Sequence, residues 1–119
     1  MKDLALVIED DQDLATIFAE ALQSAGFTIE ILGDGRIAQK RLQETAPRLI
    51  LLDMHLPYIS GVELLSQIQS DERFSQTLIV IATADARLAD EYQDIADFVM
   101  VKPISFVQLR DLSQRLHSS

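Results

Sequence analysis

A chain of 119 residues, 48% apolar and with only four Gly and three Pro, has the length and composition of one compact domain with a real core. Nineteen acidic residues against ten basic ones give a net charge of −9, and this acid surplus speaks against direct binding of nucleic acid, which needs a basic footprint. The absence of cysteine excludes disulfides, thiolate metal sites and thiol catalysis, and no apolar run nears the roughly 20 residues of a membrane span.

Met1-Lys2-Asp3 leads directly into Leu4-Ala5-Leu6-Val7-Ile8, a short buried strand and not a signal peptide, so the expected location is the cytoplasm. That strand runs into Glu9-Asp10-Asp11. Leu14, Ile17, Phe18, Ala21, Leu22 and Ala25 recur at helical spacing and predict the inner face of a first helix, with Asp11 at its start and Gly26 at its C-cap. Phe27 to Leu32 reads as a second strand and Gly33-Asp34-Gly35 as a turn. Ile37, Ala38, Arg41 and Leu42 stripe a second helix that ends before Pro47. Leu49-Ile50-Leu51-Leu52 is a third strand, buried on both faces, and it ends in Asp53. Pro57 and Gly61 punctuate the next loop, and Gly61 opens a third helix with Val62, Leu65 and Ile68 inward. Leu78 to Thr83 is a fourth strand, a short helix lies around Arg87 to Gln93, and Phe98-Val99-Met100-Val101 is a fifth strand. Ser105 and Gln108 suit a capping box for a last helix carrying Leu109, Leu112 and Leu116.

Short buried strands alternating with helices predict an α/β fold, a parallel five-stranded sheet with helices on both faces. The five βα units fill residues 1–119 as a single domain, with no output domain expected in this chain. In such a sheet the carboxyl ends of the strands share one rim, where open α/β sheets keep their ligand sites. That rim gathers Glu9 and Asp10 after the first strand, Asp53 after the third, Thr83 after the fourth and Lys102-Pro103 after the fifth. Taken singly, these residues read as a helix-start acidic cluster, a strand threonine and a solvated lysine. Taken together, they describe chemistry. Three close carboxylates raise one another's pKa unless a cation neutralises them, and Mg²⁺ is the hard divalent ion that takes one or two carboxylates with waters and phosphate oxygens. Lys102 adds a point charge suited to a phosphoryl oxygen and Thr83 a rotatable donor, so an Asp carboxylate there could attack phosphorus.

These residues resemble a known family. The acidic pair Glu9-Asp10, the run Asp53-x-x-Leu56-Pro57-x-x-x-Gly61, Thr83-Ala84 and Lys102-Pro103 are together similar to the response regulator receiver domain of two-component signalling, in the CheY-like superfamily, over essentially the whole chain. The resemblance implies a flavodoxin-like (βα)5 fold and transfer of a phosphoryl group from a phosphohistidine, on a sensor histidine kinase or a histidine phosphotransfer protein, to Asp53. It implies Mg²⁺ bound directly by Asp10 and Asp53, by Glu9 through water and by the backbone carbonyl of His55. It implies that Thr83 moves towards the phosphoryl group, that Lys102 pairs with carboxylate or phosphoryl oxygen, and that the Lys102–Pro103 bond is cis. It also implies self-phosphorylation from small phosphodonors, slow self-dephosphorylation, and switching of a downstream effector or fused output domain, with a phosphorylation-dependent homodimer as one form of that switch.

His55 as an imidazole ligand is unconvincing, because Mg²⁺ takes oxygen. By the resemblance His55 and Asp85 flank the phosphoryl group and tune its hydrolysis; the alternative for His55 is a partly exposed loop residue. Two departures bear on the output surface. Val99 stands where the family's switch aromatic is usual, and the segment from Thr83 to Lys102 is about a turn short, with Ile95-Ala96-Asp97 in place of the commoner Gly-Ala-Asp. A metal-dependent phosphohydrolase of the haloacid-dehalogenase type is the competing enzyme reading, but it calls for an Asp where His55 stands. A phosphorylation-independent interaction domain would not need the complete acidic set. A dinucleotide site is excluded because no G-x-G-x-x-G follows the first strand.

Overall fold

Each apolar run predicted as a strand is a strand in the computed structural model, which describes residues 3–117. The elements are β1 (Leu4–Ile8), α1 (Gln12–Ser24), β2 (Thr28–Leu32), α2 (Gly35–Glu44), β3 (Leu49–Asp53), α3 (Gly61–Gln69), β4 (Leu78–Thr83), α4 (Ala86–Tyr92), β5 (Phe98–Val101) and α5 (Phe106–His117), with a 3-10 turn at Glu72–Phe74. All strands are parallel, in the order β2-β1-β3-β4-β5. Ile8 lies opposite both Leu32 and Leu52, Asp53 opposite Ala82, and Thr83 opposite Val101, so each strand ends within one residue of its neighbours. This register makes the rim.

Strand alternation splits the core in two. Leu6, Ile8, Ile50, Leu52 and Ile81 pack against Ala38, Leu42, Leu64 and Leu65 of α2 and α3. Ala5, Val7, Leu51 and Ala82 pack against Phe18 and Leu22 of α1 and Leu112 of α5. β3 lies in the middle and every one of its residues is buried, each large aliphatic contributing about 1.5–3 kcal/mol.

The helices begin where side chains cap them. Asp11 accepts from Leu14 N–H, Asp34 from Arg36 and Ile37 N–H, Ser60 from Glu63 N–H, and Asp85 from Arg87 and Leu88 N–H. Ser105 and Gln108 bond reciprocally to each other's backbone N–H at 3.1 Å, the predicted capping box.

Three helices turn most of the predicted face inward but leave one predicted residue of each in solvent. α1 buries Ala15, Phe18, Ala19 and Leu22 and leaves Ile17 outside; α2 buries Ala38 and Leu42 and leaves Ile37 outside; α3 buries Leu64, Leu65 and Ile68 and leaves Val62 outside. The C-cap of α1 is Ala25, and Gly26 follows it at φ +101°. Gly35 is the first residue of α2 and not part of a free turn. α4 has only seven residues, the short helix the sequence predicts.

Candidate functional site

The rim holds Glu9, Asp10, Asp53, Thr83 and Lys102 together. Among the described residues, carboxylate oxygens of Glu9, Asp10 and Asp53 all lie within 4.8 Å of one another. Their surroundings differ sharply. Glu9 is 1% exposed and Asp53 3%, whereas Asp10 is exposed. Glu9 is held inward because its N–H donates to Leu32 C=O at the end of β2 and its Oε2 accepts from Asp11 N–H. Asp53 Oδ1 accepts from His55 N–H at 3.1 Å, and the His55 residue itself is exposed.

Lys102 is placed by its own N–H, which donates to Thr83 C=O at 2.8 Å, and the following Lys102–Pro103 bond is cis. Its Nζ stands 2.7 Å from Glu9 Oε1 and 3.5 Å from Asp53 Oδ2. The nearer carboxylate partner is therefore Glu9, with Asp53 the second. That contact is an ion pair by distance without hydrogen-bond alignment, and it leaves Glu9 Oε1 buried with no hydrogen bond. Burial is the largest influence on the Glu9 carboxyl; Lys102 opposes it and the Asp53 charge adds to it, so its pKa is pushed up to about 7. Burial works against the Lys102 charge as well, but Glu9 and Asp53 outweigh it and hold the ammonium above its ordinary value.

This is a donor set that fits a hard divalent cation: three carboxylates, one of them with a buried oxygen that accepts no hydrogen bond and a carboxyl whose ionisation is opposed first by its burial.

Two close approaches fix the loop that follows Asp53. A Cβ on Gly61 would run into the backbone of Asp53 and Met54, and Gly61 N–H donates to Met54 C=O at 3.1 Å. A Cβ on Gly35 would likewise meet Ile59, and Gly35 N–H donates to Pro57 C=O. Between these points Tyr58 adopts φ +72°, closed by Ile59 N–H donating to Pro57 C=O, with the Arg36 guanidinium 3.5 Å from its ring centroid. The loop is thus tied to the start of α2. Sequence reasoning missed this tie; Gly35 beside a capping Asp was the available signal.

Thr83 is fully buried, and its Oγ1 accepts from Asp85 N–H at 3.1 Å. Asp85 in turn caps α4, so the hydroxyl and the helix start are joined through one residue. Val99 packs in the same cluster as Leu88 and Tyr92, while Phe98 lies on the other face, with Arg115 over its ring.

A family model described as the response regulator receiver domain matches residues 5–114. The probable methanogenesis regulatory protein FilR2 of Methanothrix harundinacea is 36% identical over 118 residues, covering 90% of this chain and 76% of that protein. The phosphate regulon transcriptional regulatory protein PhoB of Rhizobium meliloti is 31% identical over 106 residues, covering 87% of this chain and 47% of that protein. The chain therefore spans about three quarters of the first relative and just under half of the second. Among solved structures, the response regulator protein TrrA of Thermotoga maritima in complex with Mg²⁺-BeF superposes with a TM-score of 0.78 at 27% identity, covering 98% of this chain and 99% of that one.

Proposed function

This chain belongs to the family of response regulator receiver domains, and on that premise we propose that it takes a phosphoryl group from a phosphohistidine onto Asp53. The observation that carries this reading is the position of Asp53. It is the buried strand-end carboxylate with Lys102 on one oxygen, a backbone N–H on the other, and two more carboxylates alongside. An Asp53 oxygen attacks the phosphorus, the P–N bond to the donor histidine breaks, and an acyl phosphate remains. Lys102 swings its charge from Glu9 towards the incoming phosphoryl oxygens, a short move for an ammonium already between the two carboxylates.

Glu9, Asp10, Asp53 and the backbone carbonyl of His55 are the groups that would hold Mg²⁺. When bound, the ion supplies positive charge against the phosphoryl oxygens and the crowded carboxylates. Thr83 gives up the Asp85 N–H when its hydroxyl turns to the phosphoryl group, and the freed loop from Ala84 to Leu88 carries the change to α4. His55 and Asp85 line the approach and set the lifetime of the acyl phosphate. The donor is a sensor histidine kinase or a histidine phosphotransfer protein, with small phosphodonors serving in its place, and slow self-dephosphorylation resets the site. The recipient of the signal is a downstream effector or a fused output domain. PhoB is named as a transcriptional regulator, and the chain matches under half of it; for residues 1–119, read as one receiver domain in the cytoplasm, the acid surplus argues against direct contact with nucleic acid. No helix among the described residues is long and apolar enough to cross a membrane.

Incubation with acetyl phosphate and Mg²⁺ tests the reading. The chain should gain one hydroxylamine-labile phosphate and Asp53→Asn none; equal incorporation by Asp53→Asn would place the acceptor elsewhere.

A further inference from the structure

Among the described residues, Tyr58 is the one non-glycine residue with a positive φ, at +72°. Left-handed backbone is uncommon for a bulky side chain and persists only where the surroundings hold it. Burial does not hold it here, for Tyr58 is 70% exposed. What its ring meets is the Arg36 guanidinium, 3.5 Å from the centroid, and Arg36 is the second residue of α2.

The turn serves one carbonyl. Pro57 C=O accepts from Ile59 N–H at 2.9 Å, a bond that the bend at Tyr58 makes possible, and from Gly35 N–H at 3.1 Å. α2 therefore grips the loop at two successive residues, by backbone through Gly35 and by side chain through Arg36. The second grip is itself anchored, because Arg36 N–H donates to the capping Asp34 at 2.8 Å. At the near end of the loop, Gly61 N–H holds Met54 C=O at 3.1 Å. His55 lies between these two pinned residues, Met54 and Pro57, and its N–H is the donor to Asp53 Oδ1.

We propose that Arg36 and Tyr58 are positioning residues for the phosphoryl-acceptor site. The stack holds Tyr58 in its left-handed turn, the turn holds Pro57 against α2, and Pro57 holds His55. His55 N–H then stays aimed at Asp53, and its carbonyl stays where a Mg²⁺ ligand is needed. The role rests on the reading of Asp53 as acceptor and of the His55 carbonyl as ligand. A glycine at position 58 would make the same turn at no steric cost, but it would not fasten the turn to α2. The sign of the effect separates this role from simple electrostatics. On charge alone, taking a cation from this chain favours Mg²⁺ at the three carboxylates. Taking away the clamp does the opposite.

Calorimetric titration of the whole chain with Mg²⁺, without phosphodonor, tests it. Arg36→Ala and Tyr58→Asn should each raise the Mg²⁺ dissociation constant about fivefold. The double variant should go no more than about twofold beyond the weaker single one, because the two residues act as a unit. Asn takes left-handed backbone more readily than Tyr, so Tyr58→Asn should keep its urea midpoint in EDTA at or above the wild-type value. Tyr58→Phe keeps the ring under the guanidinium and should keep Mg²⁺ affinity within about twofold. Wild-type affinity in both single variants, or tighter binding by Arg36→Ala, overturns the proposal. So do losses that multiply in the double variant, or a Tyr58→Asn loss that comes with a lowered urea midpoint, which would make the residue a plain part of the fold. Labelling of the wild type by acetyl phosphate reports on Asp53 separately. A wild type that takes no label yet shows these Mg²⁺ shifts would sink the acceptor and keep the clamp.

Discussion

Replacing Glu9 by Gln removes a buried titrating carboxyl while keeping its shape. The folded Glu9 pKa is about 7 against an ordinary 4.5, so between those values the native state holds a proton that the unfolded chain has released. A carboxyl raised in this way favours the native state below pH 4.5, and that contribution is lost as pH rises through about 7. At 1.36 kcal/mol per pH unit, the gap of about 2.5 units amounts to about 3 kcal/mol. That is a large share of the roughly 5–15 kcal/mol by which domains are stable. Urea unfolding in EDTA at pH 4 and pH 8 measures it. Between the two, wild type should lose about 3 kcal/mol more than Glu9→Gln, since the amide does not titrate. Millimolar Mg²⁺ at pH 8 should shrink the difference. Stability curves that run parallel in EDTA, within about 0.5 kcal/mol, would mean that Lys102 outweighs burial and Glu9 is charged throughout.

Asp10→Asn should weaken Mg²⁺ binding in a titration far more than Asp11→Asn, because Asp11 is spent on the α1 cap, where Asn serves as well. Exchanging both His55 and Asp85 should change the decay rate of the acyl phosphate, followed by loss of label, and leave its formation intact. Beryllofluoride should raise hydrogen exchange most at Ala84 to Leu88, where Thr83 releases the Asp85 N–H; a change confined to β5 would point to Val99 instead. Gly61→Ala should cost at least about 3 kcal/mol in urea unfolding, since the added methyl meets backbone and not a flexible side chain.

The strands and the membership of the rim were legible because they rest on short-range patterns: runs of β-branched and aliphatic residues, and the polar residue at each end. The helix faces were less so. Periodicity rewards the largest apolar residues, and so it turned Ile17, Ile37 and Val62 inward; on α1 the sheet is instead met by Ala15 and Ala19, which the reading left out, and Ile17 is let go. The unequal burial of Glu9 and Asp10 had no signal either, for the two are adjacent in sequence. Only the chain's exit from β1, with Glu9 N–H tied to Leu32, decides which of the pair points inside. Nor could spacing show that Lys102 rests on Glu9 before Asp53, a matter of less than 1 Å between 2.7 and 3.5 Å.

The Arg36–Tyr58 stack has a practical use. The chain has no tryptophan and only two tyrosines, so its near-ultraviolet emission comes from Tyr58 and Tyr92 alone. One ring lies in the loop after Asp53, beneath a guanidinium, and the other closes α4 against the core. Each flank of the site therefore carries its own optical reporter. Tyr58→Phe and Tyr92→Phe separate the two signals, and events at the loop and at the short helix can be timed in one cuvette without any label.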